Sequence, residues 1–428
     1  MDSNVQEHRL DNGLKIITKE MHHVPLVSQW VWYRVGSRNE TSGRTGISHW
    51  VEHMQFKGTP AYPINVLDHA ISRDGGVWNA MTSLDWTTYF ETMPSHKIEI
   101  AISLEADRMR NSLFEEHETE LERTVVISER EGNENEPLFR LEEAVQKAGF
   151  DHHPYRHQVI GELGDLRAIS REDLFNYYRC HYTPDNAVIA VAGDFRESEL
   201  IEKYSRLYEG FADKKGEITI PVPEDRIEMG RRIEIDGPGN TVYLQLSFRS
   251  PAANTDDFFA LVVLDSLLTG PSSLAMYGGG SVSNKTSRLY QALVEKDLAA
   301  SISGGVQATI DPYLYEILAI LQPTQPLDKV LGILDEEIFR LHEKTIPEEE
   351  IERAIKQAKA LFAYSSESIT NQAFWMGYSS MFADHTWFDN YLKRIEKVTP
   401  SQLAETAKKY LDQERRVVGI YRPKNNGG

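Results

Sequence analysis

One stretch of this chain occurs twice, and that repetition restricts its possible folds more than any other feature. Ile169-Ser-Arg-Glu-Asp-Leu174 has a counterpart in Val398-Thr-Pro-Ser-Gln-Leu403, 229 residues further on. The same offset, without a gap, sets Val188-Ile-Ala-Val191 over Val417-Val-Gly-Ile420. Both copies predict a capped helix followed by a short strand with β-branched residues. Ser170 and Thr399 stand at N-cap positions, Pro400 suits the first helical turn, and Gln402 completes a capping box with Thr399. Tyr182-Thr-Pro-Asp-Asn186 supplies the turn between helix and strand in the first copy. A helix and a strand that return in register over this distance imply two similarly folded halves.

The length of 428 residues suits two or three domains at roughly 150 residues each. Composition changes at Ala212 to Asp225, which is polar and punctuated by Pro221 and Pro223, as a linker between domains is. We therefore expect a first domain over 1–211, a linker over 212–227 and a homologous second domain over 228–428. Each half opens with strand-like runs, Leu14–Thr18 and Leu26–Val35 in the first, Arg232–Ile235 and Val242–Phe248 in the second. Long helical segments follow, such as Ile98–Ser112 and Pro347–Tyr364. This order predicts an α+β protein: two α/β sandwich domains, each an antiparallel-rich sheet covered by helices.

Charge and composition remove several classes of function. With 46 Lys+Arg against 65 Asp+Glu the net charge is −19, the reverse of the basic footprint that binds nucleic acid. No run approaches the roughly 18 apolar residues of a membrane span. The single cysteine, Cys180, can form neither an intramolecular disulfide nor a thiolate metal cluster. The N-terminal Met-Asp-Ser-Asn-Val-Gln-Glu-His has neither the basic nor the apolar region of a signal peptide. The expected setting is a reducing, cytoplasmic one.

The chemistry is concentrated in His49-Trp-Val-Glu52-His53. Residues i and i+4 of a helix share a face, about 5–6 Å apart at Cβ, so His49 and His53 can converge on one ion. Glu52 lies on the same side, within reach of a metal-bound water. Thr45-Gly46-Ile47-Ser48 offers a helix start, and Lys57-Gly58-Thr59-Pro60 a stop. Catalytic zinc sites use three protein ligands and keep one position for water, so a third ligand must come from elsewhere in the chain.

The order His-x-x-Glu-His is the inverzincin pattern, and here the sequence resembles the pitrilysin/insulinase family of metallopeptidases. In that family the third ligand is a Glu some 76 residues beyond the second His, on another helix. That count from His53 reaches Glu129, in Val125-Val-Ile-Ser-Glu129. The resemblance implies one Zn²⁺ per chain held by His49, His53 and Glu129, with Glu52 as general base toward a zinc-bound water. Glu122 falls where the family keeps an acidic residue behind the metal, orienting His49 or His53. Gly75-Gly76 followed by Val77 to Tyr89 looks like the family's edge strand, which implies that Asn79, Ala80, Met81 and Thr82 pair with extended peptide. His153-Pro-Tyr155 and Gly193-Asp194 also match. Chains of this length resemble mitochondrial processing peptidase subunits and small bacterial relatives, in which two chains enclose a chamber.

The second half departs from the first. Phe258 to Leu268, where the metal helix would recur, holds no His and no Glu. Family members with a complete substrate site carry an Arg and, seven residues later, a Tyr after a Ser-Arg-Leu helix. Here Ser287-Arg-Leu matches, but Val294 and Ala300 occupy those places, six residues apart with one residue deleted between them. The resemblance thus implies a dimer, preferably with a dissimilar family chain that supplies the Arg/Tyr pair. The function expected is a zinc metalloendopeptidase subunit acting on peptides or unfolded segments. The alternatives are a non-catalytic core subunit of the same family, or a metal-dependent hydrolase with another substrate.

Overall fold

Strand β3 (Leu26–Tyr33) is buried from Val27 onward because both of its faces are covered, as those of a central strand are. In the computed structural model, which describes residues 5–424 except 212–215, 217, 219, 273, 275–281, 323–324 and 344–345, it lies inside a six-stranded sheet. The other members are β1 (Val5–Arg9), β2 (Lys15–Glu20), β4 (Val77–Thr82), β5 (Thr87–Pro94) and β6 (Ala187–Gly193), in the order β1-β2-β6-β3-β5-β4. A second sheet contains β7 (Arg231–Gly237), β8 (Tyr243–Arg249), β9 (Ala299–Val306), β10 (Leu314–Leu321) and β11 (Arg416–Pro423), in the order β7-β11-β8-β10-β9. Each sheet has a single parallel pair, β2 with β6 and β7 with β11. The order β2-β6-β3-β5-β4 therefore recurs in the second sheet with the same directions.

The repeat holds residue by residue. Helices Arg171–His181 and Pro400–Tyr410 keep the offset at both ends, and β6 and β11 start one offset apart. Ser170 Oγ accepts the N–H of Asp173, and Thr399 Oγ1 that of Gln402, each closing a capping box. The protein is a mixed α+β chain of two similar sandwiches. Part of the expected linker, residues 212–215, 217 and 219, lies outside the described residues.

The compact units interleave along the chain. One comprises Met1–Glu131, His157–Pro221 and Glu367–Asp389; the other comprises Gly132–Arg156, Val222–Ser366 and Asn390–Gly428. Each half sends one helix to the sheet of the other. Pro137–Gly149 lies against β7, β8 and β11, and Ile369–Phe382 lies against β2, β3 and β6. In the first unit the imported helix meets an aromatic face. Trp30 stacks on Phe90 with ring centres 4.0 Å apart, and Phe374 lies edge-on to both Trp30 and Trp32. The opposite face of β3 carries Val27, Val31 and Tyr33 into a core shared with Ile98–Asn111 and its neighbours. Among the described residues no helix is long and apolar enough to cross a membrane.

Gly377 is what lets the imported helix approach β3. A Cβ there would lie 2.0 Å from the indole nitrogen of Trp32, a fully buried ring. Gly377→Ala is expected to destabilise the protein by about 1–3 kcal/mol through overpacking. Gly332→Ala, in an exposed helical position with nothing within 4 Å of the new methyl, is expected to stabilise by up to about 1 kcal/mol. Denaturant midpoints of the two variants should therefore move in opposite directions.

Candidate metal centre

The helix Ile47–Met54 is only eight residues long, and its start is fixed from outside. Gly46, at φ +87°, ends the preceding turn without offering a side chain. The buried carboxylate of Glu40 accepts the N–H groups of Gly46 (2.8 Å) and Ser48 (2.9 Å) instead, doing from a distance what a Ser or Asp cap does locally. Trp50, Val51 and Met54 face the core, which turns His49, Glu52 and His53 toward the helix Glu116–Asn133 and strand β4. Arg123 of that second helix lies over the Trp50 ring, 4.7 Å from its centre, and its Nη1 donates to the carbonyls of Leu166 and Ile169. Glu122 and Glu129, two turns apart, share the face that meets the histidines.

Three side chains converge. His49 Nε2 and His53 Nε2 are 3.3 Å apart, and Glu129 places one oxygen 3.9 Å from His49 Nε2 and the other 3.6 Å from His53 Nε2. The donor atoms of His49, His53 and Glu129 all lie within 4.8 Å of one another. Glu122 Oε1 takes the Nδ1–H of His53 at 2.7 Å, which turns the Nε2 lone pair inward. Two imidazole nitrogens and a carboxylate, with Glu129 half-exposed so that one side stays open, form a donor set that fits zinc. It is the single such cluster among the described residues.

Burial dominates the electrostatics of these side chains. It holds His49 down to about 3, with His53 adding to the shift, so His49 is neutral near neutral pH. Burial also pulls on His53, but the hydrogen bond to Glu122 and the charges of Glu52, Glu122 and Glu129 outweigh it and raise its pKa. Glu52 is raised by burial, partly offset by a 2.7 Å hydrogen bond from Thr82 Oγ1 and by His53. Glu122 is lowered: burial opposes its charge, but His53 and Lys57 overcome that.

The four residues expected to meet substrate lie on β4, which pairs with β5 on one side and forms the edge of its sheet. Asn79 is exposed, and its Oδ1 accepts the N–H of Ala80 at 2.8 Å. Ala80 is buried and Met81 half-buried. Thr82 gives its hydroxyl to Glu52, a role its place in the sequence did not suggest. Sequence reasoning also missed Glu40 and Lys57. The spacing His49, His53, Lys57, four residues at each step, was the available signal for the lysine. In the second unit the helix Asp256–Leu268 carries Asp265, whose carboxylate accepts from Thr269, Ser272 and Tyr315; burial raises it to about 6. That helix is tied into its core and offers no metal ligand set.

A repeated sandwich with an inverted His-x-x-Glu-His helix in one copy defines the class of two-unit metallopeptidase-like proteins. The chain belongs to peptidase family M16: residues 15–162 match the family described as Insulinase (Peptidase family M16), and residues 168–358 match the Peptidase M16 inactive domain. An uncharacterized zinc protease of Bacillus subtilis, YmxG, is 27% identical over 96% of this chain and 96% of its own length. A probable mitochondrial-processing peptidase subunit beta of Arabidopsis thaliana is 28% identical over 82% of this chain and 65% of its own. The crystal structure of a protease from Helicobacter pylori superimposes with a TM-score of 0.89 at 24% identity, covering 98% of this chain and 100% of that one.

Metal binding requires neutral imidazoles. Because His49 stays neutral and His53 is raised above the ordinary imidazole value, one proton competes with the ion in mildly acid solution. Zinc affinity is expected to fall about tenfold per pH unit between roughly pH 5 and 6. Chelator competition across that range checks the slope, which two competing protons would double.

Proposed function

We propose that this chain hydrolyses peptide bonds, with one zinc ion held by His49, His53 and Glu129 and with Glu52 as the proton carrier. The observation that carries this reading is the convergence of two Nε2 atoms and a carboxylate within 4.8 Å of one another, beside the buried carboxylate of Glu52. When bound, zinc supplies a Lewis acid that acidifies a water and polarises a carbonyl. Thr82 holds Glu52 Oε2, which leaves Oε1 to accept a proton from the attacking water and return it to the leaving amine. Glu122 keeps His53 in the tautomer that ligates. The open edge of β4 receives an extended peptide as an added strand along Asn79 to Thr82.

A dissimilar partner chain completes the substrate site in this reading. Val294 and Ala300 offer neither charge nor hydroxyl; of the substitute donors a homodimer could use, Arg288 and Tyr290, Arg288 has its Nε engaged by Glu350 at 2.9 Å. The relatives include a protein named as a subunit beta of a processing peptidase, which supports a paired assembly.

Two experiments test the reading. Purified protein should carry close to one zinc per chain; Glu129→Gln should lose most of it, while Glu52→Gln should keep it and lose turnover of an unstructured peptide. Metal lost from Glu52→Gln would show that the roles of Glu52 and Glu129 are wrongly divided. The isolated chain should also be slow, because a missing oxyanion donor typically costs about 10²–10³ in rate. Mixing with a family chain that lacks His-x-x-Glu-His and carries the Arg/Tyr pair should restore that factor. A rate unchanged by any such partner would refute the pairing.

A further inference from the structure

Lys57 has no task in the proposed hydrolysis, yet its ammonium lies within the site. The helix Ile47–Met54 does not stop cleanly. Phe56 N–H reaches back to His53 O and Lys57 N–H to Met54 O, a tightened extra turn that ends at Gly58 with φ +98°. This turn keeps Lys57 on the side of His49 and His53. Its Nζ pairs with Glu122 Oε2, while Glu122 Oε1 holds His53 Nδ1 at 2.7 Å. The Glu122 side chain is only 7% exposed, so each oxygen of a nearly buried carboxylate has its own partner.

We propose that Lys57 is a positioning residue for the metal centre: by gripping Glu122 it keeps His53 Nε2 aimed at the ion. The inference rests on the reading of His49, His53 and Glu129 as zinc ligands. Glu122 reaches His53 through three rotatable bonds, and one hydrogen bond alone does not fix its plane. Without the ammonium, Oε2 would be a desolvated anionic oxygen facing no donor. Rotation toward solvent would relieve that and surrender the bond to His53. A direct Coulomb effect runs the other way, since a cation beside a cation site weakens metal binding. The two effects have opposite signs, so a measurement separates them.

The experiment is the zinc dissociation constant by chelator competition, with far-ultraviolet spectra to confirm folding of each variant. Losing an outer hydrogen-bond partner of a metal ligand typically costs about 10–100-fold in affinity. Lys57→Met should therefore weaken zinc about 10-fold, and Lys57→Arg, which restores a cation to the same oxygen, should stay within about 3-fold of wild type. If the methionine variant fails to fold, Lys57→Gln takes its place and should also bind more weakly than wild type. In a Glu122→Gln background, adding Lys57→Met should not weaken zinc further, because the grip acts only through that carboxylate and the remaining Coulomb effect has the opposite sign. Zinc bound equally or more tightly by Lys57→Met, or an additive loss in the double variant, overturns the inference alone. Failure of the wild type to bind zinc, or unaltered binding by Glu129→Gln, overturns the ligand assignment and this inference with it.

Discussion

An eight-residue helix cannot hold two imidazoles at a fixed separation by its own hydrogen bonds. In isolation so short a helix is barely populated, and the site depends on what clamps it. At one end Glu40 ties down the first free N–H groups. Along its length Trp50 is covered by Arg123, and at the far end an extra turn carries Lys57 to Glu122. Both Arg123 and Glu122 belong to the helix that brings Glu129. The clamp and the third donor thus arrive on one rigid element, so the register of the two helices and the geometry of the site are set together.

Behind this pair stands a sheet that would fail without a helix from the distant end of the chain. Trp30, Trp32 and Phe90 present a broad aromatic face that Phe374 and Tyr378 close. The second sheet is closed in turn by Pro137–Gly149, which is separated by only a few residues from the helix of Glu129. Neither sandwich is complete from its own contiguous half. Each unit's stability therefore includes a helix whose chain neighbours lie in the other.

The two copies also show what a shared fold leaves open. Strand order, strand direction and capping boxes recur, but the helix Asp256–Leu268 is buried on every side from Phe258 onward, and its one buried acidic side chain, Asp265, is spent on three hydroxyls. Its counterpart in the first unit leaves His49 and His53 only partly buried and turns them to Glu122 and Glu129 of a second helix. A ligand set requires a helix with a face to spare.

Much of this was legible from the order of residues. The repeat, the caps at Ser170 and Thr399, the strands flanking them and the convergence of His49 with His53 all follow from interactions within about four residues along the chain, and such interactions are written in periodicity. Glu129 was reached by its spacing from His53 and by family resemblance, since in a helix rich in Glu the local pattern does not say which carboxylate turns inward. What only the tertiary structure decided was which helix covers which sheet, that Thr82 donates to Glu52, and that Glu40 and Lys57 hold the two ends of the helix of His49 and His53. Those pairings join segments tens to hundreds of residues apart, and they are selected by close packing and by the cost of leaving a buried charge without a partner, neither of which has a period along the sequence.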